Sequence, residues 1–223
     1  MKKAAMLAVF AILWKDVVLE LRTKDIVVSA LVFALLVIVV FNFAITPTPQ
    51  TVAFVAPGIL WIAFTFGGVL GLNRSIALER ESGGMHALML APVSRDLIFF
   101  GKMLGSLLFM LLVEVIVFPV FAVLYNFSLL LPGLIPVAAL ATVAIATIGT
   151  LFSAIAANTR SREVMLPLLF FPVVVPAVIA AVEASTAVIQ GGSPFDRWLP
   201  FLLAFDALFL VACPFAFHLI VEE

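Results

Sequence analysis

Charged side chains are scarce in this chain. Asp, Glu, Lys and Arg make up 11% of its 223 residues, against roughly 25% in a soluble domain. That shortage excludes a surface that faces water throughout. The single cysteine, Cys213, excludes an intrachain disulfide and any CxxC redox or zinc motif. It reads as a small apolar packing residue. Only two histidines are present, and no metal cluster is expected from them. No GxxxxGK[ST] phosphate loop occurs. Gly101-Lys102 lacks both the earlier glycine and the following Ser or Thr. The chain is therefore expected to be no enzyme, with no catalytic residue and no ATP hydrolysis of its own. Its basic residues form no single patch, so no nucleic-acid partner is expected.

Apolar residues make up 65% of the sequence, and the mean hydropathy is +1.31. The few charges are segregated. None lies between Asp25 and Arg74, and only Glu114 lies between Lys102 and Arg160. A bilayer span takes about 20 apolar residues, so each stretch accommodates two spans and a turn. The expected fold is all-α and polytopic, with transmembrane helices over 26–45, 52–73, 103–125, 134–157, 164–183 and 198–220. Pro47 and Pro49, the segment 126–133 and Gly191-Gly192-Ser193-Pro194 mark the turns. The whole chain reads as one transmembrane domain.

The first residues resemble a signal peptide, but the apolar run ends at Lys15-Asp16 without a small-x-small cleavage site. Leu7, Phe10, Trp14, Val17, Val18 and Leu21 recur at helical spacing, opposite Lys15, Asp16, Glu20, Arg22 and Lys24. The segment 4–24 is expected to lie in the membrane interface as an amphipathic helix. With six spans, the N-terminal segment and the second–third and fourth–fifth loops share one side. They carry eleven of the twelve Lys and Arg, leaving only Arg197 opposite. Positive residues stay in the cytoplasm, so both termini are expected there, in a bacterial inner membrane.

The largest polar segment is the cytoplasmic loop 74–102. Glu79, Arg80 and Glu81 end the second span in water, Gly83-Gly84 breaks the helix, and Pro92 stops a short segment containing Met85, Leu88 and Met89. Such a segment suits docking to another protein, or is an ordinary interfacial loop.

Glu-x-Glu-x-Gly, a Leu-rich turn, Pro, and Gly-Lys entering a helix resemble the ABC-2 type permeases of ABC transporters. WKDVVLELRTKD, VAPGILWIAFTFGGVLGLNRS, ERESGGMHALMLAPVSRDLIFFGK, LVEVIVFP and LPLLFFPVVVPAVIAA, in this order, are similar to the CcmB family. CcmB is the permease of the cytochrome c maturation system, often called the haem exporter permease. The resemblance implies a permease coupled to a separate CcmA-like ATPase docked around Glu79, Glu81, Gly83, Gly84, Met85, Leu88 and Pro92. It also implies CcmC-like and CcmD-like membrane subunits, and two transmembrane subunits per two ATPases. ATP would bind the partner, and haem is a candidate substrate with no firmly bound cofactor. ATP could instead drive release of a haem-loaded chaperone. An ABC-2 permease for a lipid-linked glycan or drug, and an ATP-independent transporter or scaffold, are the alternatives.

Two acids fall within spans, Glu114 and Asp206. An ionisable group there costs at least ~2.5–3.5 kcal/mol and normally faces the bundle interior. Either they help helices pack or they line a path. Pro167, Pro172 and Pro176 share the fifth span, where kinks and a broken helix are expected. His218, near the cytoplasmic end of the last span, is poorly placed to bind haem at the outer face.

Overall fold

The structure, a computed structural model, describes residues 2–45, 48–81, 84, 90, 93–126, 131–157 and 162–220. Seven long helices account for most of these. They are α1 (Lys2–Thr23), α2 (Asp25–Ala44), α3 (Pro49–Glu81), α4 (Arg95–Leu124), α5 (Leu134–Ala157), α6 (Arg162–Ile189) and α7 (Trp198–Ile220). The last six are long and apolar enough to cross a membrane. The all-helical polytopic fold expected from composition is what is found.

The sequence of α2, rich in Val, Ile and Phe, would suit a strand in water. Lipid offers no hydrogen bonds to the backbone, so a span must satisfy its own peptide groups, and the helix wins. Its 20 residues span about 30 Å, the thickness of the hydrocarbon core. Before it, Lys24 takes a left-handed conformation with φ of 58°, which turns the chain from α1 into α2.

Several helices overrun the apolar stretches. α3 continues beyond residue 73 to Glu81 because Ala, Leu, Glu and Arg are strong helix formers in water. α4 starts at Arg95 rather than near 103. Ser94 precedes it in extended conformation, with its carbonyl accepting from the Leu97 and Ile98 N–H groups. Asp96 lies in the first turn, where a negative charge is favoured.

α5 occupies the centre and packs against α3, α4, α6 and α7. Its Ala, Thr and Gly residues allow this crowding. A Cβ on Gly149 would lie 2.4 Å from a Leu72 methyl group of α3. α2 packs chiefly on α3, where Gly67 brings the backbone close enough that a Cβ would sit 3.1 Å from the Ala30 carbonyl oxygen. A second apolar cluster joins Ile12, Phe99, Met103, Leu151, Cys213 and Phe217 on the side of the bilayer that carries the basic residues. Cys213 is thus buried between helices.

The break expected in the fifth span is absent. α6 is continuous from Arg162 to Ile189 through Pro167, Pro172 and Pro176. Each proline removes one backbone donor, yet the helix runs on through all three, as proline-bearing spans in a membrane commonly do.

α1 also differs in one respect. It packs along α4, and part of its polar side faces the protein rather than water. Leu7, Phe10, Trp14 and Leu21 are the exposed residues. The reason is electrostatic: Asp16 and Glu20 find better partners on α4 and α2 than water alone supplies.

Candidate functional site

The basic face is held by ionic contacts that fix α1 and the ends of α2, α3 and α4. Lys102 of α4 donates to Asp16 of α1 at 3.2 Å. Lys15 approaches the same carboxylate at 2.8 Å. Gly105 makes room for it: a Cβ there would meet the Asp16 Oδ2 at 3.2 Å. Arg74 of α3 donates from Nη2 and Nε to one oxygen of Asp25, at 2.5 and 3.1 Å. This pair is over a third exposed on both sides, so it contributes no more than about 1 kcal/mol. Lys102 and Asp16 are more enclosed, at 12% and 22% exposure, and break at a higher cost.

Glu20 works differently. Its carboxylate accepts from the Val27 N–H at 2.8 Å and the Ile26 N–H at 3.4 Å. It satisfies the first turn of α2 from the preceding helix. Burial pushes this carboxyl above the usual carboxylate range despite the two donors, and Asp25 nearby adds in the same direction. At the last helix, Arg95 donates to the His218 carbonyl at 3.4 Å, joining the start of α4 to the end of α7.

These contacts frame the segment between α3 and α4. Glu79 and Glu81 lie in the last turn of α3. Gly84 is described as a helical position, whereas Gly83, Met85, Leu88 and Pro92 lie outside the described residues. Leu90 is 87% exposed.

Within the bundle, Glu114 is buried and accepts a hydrogen bond from the Thr142 hydroxyl of α5. It also borders a groove between α4 and α5, lined by Val115, Pro119, Ile135 and Ala138. Asp206 of α7 is buried too, and neither carboxylate oxygen has a hydrogen-bond partner among the described residues. Both acids therefore sit inside the protein. Trp61 of α3 donates to Ser185 of α6 at 2.9 Å in the core. Among the described residues no cluster of three or more His, Cys, Asp or Glu could hold a metal ion.

In the sequence reading, Asp16, Glu20, Asp25, Arg74 and Lys102 served for sidedness, helix polarity, the limits of uncharged stretches and, for Lys102, a Gly-Lys motif, and not as partners of one another. Thr142, 28 residues from Glu114, had no signal except its place in a Thr-rich span.

The CcmB protein family model matches residues 7–222. A protein of Bradyrhizobium diazoefficiens, named heme exporter protein B, is 27% identical over 212 residues, covering 95% of this chain and 96% of its own length. A protein of Paracoccus denitrificans with the same name is 31% identical over 211 residues, covering 92% and 94%. That of Pseudomonas aeruginosa is 29% identical over 189 residues, covering 84% of each.

Proposed function

The chain belongs to the CcmB family, and on that premise we propose that it is the permease subunit of a haem exporter system in cytochrome c maturation. The observation that carries this reading is the family match across nearly the whole length, residues 7–222. Six membrane-crossing helices support it. The protein is a multi-pass transporter subunit rather than an enzyme. Its membrane is the bacterial cytoplasmic membrane, with the basic face and both termini inside, as retention of Lys and Arg demands.

With no phosphate loop in the sequence, ATP is bound and hydrolysed by a separate CcmA-like ABC ATPase. That subunit docks on the segment from Glu79 to Pro92, with Glu79, Glu81, Gly83, Gly84, Met85, Leu88 and Pro92 as its contact and hinge residues. A push on the segment reaches α3 and α4, which flank it. The Arg74–Asp25 and Lys102–Asp16 pairs pass it to α2 and α1, so that α1–α4 respond together. CcmC-like and CcmD-like membrane subunits complete the assembly, with two transmembrane subunits per ATPase pair. Haem is the substrate and not a resident cofactor.

The test is genetic and biochemical. Deletion is expected to abolish all c-type cytochromes, and normal levels would exclude the pathway. Glu81→Ala with Leu88→Ala is expected to release the ATPase from purified complexes while the permease still reaches the membrane. Unchanged ATPase binding and activity would exclude docking at this segment.

A further inference from the structure

A cleft opens between α1, α2, α3 and α4 on the basic side of the bilayer. One end is polar, lined by Asp16 and Glu20 of α1 and Lys102 of α4. The other is apolar, lined by Leu108, Phe109 and Leu112 of α4. Lys102 and Leu112 are separated by about 15 Å of helix at 1.5 Å per residue. The cleft therefore runs from the interface into the hydrocarbon region, polar end outward, as a lipid of that leaflet does. Its apolar end opens to the bilayer, because Leu108 and Leu112 are 46% and 48% exposed.

The charges at the polar end narrow the ligand. Asp16 is already held by Lys15 and Lys102. Glu20 accepts only backbone N–H groups, and no cation among the described residues pairs with it. Burial and Asp25 both work against its charge, so a cation placed there would relieve it. The Lys102 ammonium lines the same end of the cleft beside Asp16, so a phosphate there would meet a cation as well as acids.

We propose that this cleft is a binding site for a phospholipid with a primary ammonium headgroup, phosphatidylethanolamine. The ammonium donates to Glu20, the phosphate faces Lys102, and one acyl chain lies along Leu108 and Leu112. A purely anionic lipid would bring no cation to Glu20 and would set its own charge against it. A trimethylammonium lipid has no N–H to donate. A charge-assisted hydrogen bond amounts to roughly 1.5 kcal/mol or more, so the primary amine is favoured about tenfold over its trimethyl counterpart.

The full chain, stripped of lipid in detergent, can be titrated with phosphatidylethanolamine, phosphatidylcholine and phosphatidylglycerol and read by native mass spectrometry. The first is expected to be retained about tenfold more tightly than either of the others. Glu20→Gln is expected to remove the preference. Because Glu20 also supports the start of α2, Leu112→Trp serves as a second variant. It fills the apolar end far from that contact and is expected to lower phosphatidylethanolamine retention. Equal retention of the three lipids by the native chain, a preference for phosphatidylglycerol, an unaltered preference in Glu20→Gln, or unaltered phosphatidylethanolamine retention in Leu112→Trp would overturn the proposal. The readout is independent of ATP and haem, so it stands or falls apart from the transport reading.

Discussion

Lys102 Nζ stands 3.2 Å from the Asp16 carboxylate and fastens α1 to α4. The two residues are 86 positions apart, and both are mostly shielded from solvent. Removing Asp16 takes a carboxylate from an ammonium only 12% exposed, which costs more than the pair itself contributes. Asp16→Ala is expected to destabilise the protein by about 1–3 kcal/mol and to expose the α1–α2 corner to protease. The double variant with Lys102→Met is expected to recover part of the loss. Thermal unfolding in detergent and limited proteolysis measure both, and strict additivity of the two substitutions would show that the pair is not coupled.

The ionic frame also marks the limit of what the sequence disclosed. The spans were legible because an uncharged run as long as the one from residue 26 to 73 fits little besides membrane crossing. Sidedness was legible because eleven of twelve basic residues fall on one side. The partners of the charges were not. Asp25 and Arg74 lie 49 positions apart, and no periodicity links them until the helices are placed. The prolines of α6 misled for a related reason. Hydropathy and proline content are the same for a broken span and for a continuous one that tolerates its prolines. Of the residues assigned to ATPase docking, Gly83, Met85, Leu88 and Pro92 fall outside the described residues, so the docking assignment rests on the resemblance.

Leu90 offers a direct probe of that assignment. At 87% exposure it contributes little to folding, and a polar replacement should stay within about 0.5 kcal/mol of the native stability. Leu90→Asp is expected to leave membrane insertion and melting temperature unchanged. It is expected to weaken ATPase co-purification and to lower c-type cytochrome content in a complementation assay. Full complementation would place Leu90 outside the docking surface.

Trp61 and Ser185 form a buried hydrogen bond between α3 and α6 at 2.9 Å. Interhelical bonds inside membranes average about 0.6 kcal/mol and reach about 1.7. Trp61→Phe also leaves a gap in the core, where Trp61 is 1% exposed. The combined loss is expected to exceed that of Ser185→Ala, which removes only the acceptor. A denaturation series of both single variants and the double variant isolates the bond. A coupling near zero would mean that packing alone holds these helices together.

Asp206 separates structural from functional readings of the buried acids. It lies on the same face of α7 as Leu199 and Leu202, buried at 4% exposure and without hydrogen-bond partners among the described residues. A buried acceptor left unpaired costs about 1–3 kcal/mol. Asp206→Val removes both orphaned oxygens from a buried position. The variant is expected to unfold at a higher temperature than the native protein. If it also supports c-type cytochrome formation, the carboxyl has no part in the transport path. A variant that is more stable and inactive shows the opposite, because a residue retained against stability is retained for what it does. Glu114 supplies the control. It has a Thr142 partner, so Glu114→Val leaves that hydroxyl unpaired and is expected to lower the unfolding temperature. Opposite shifts from two buried acids would trace their stability effects to hydrogen bonding rather than to burial alone.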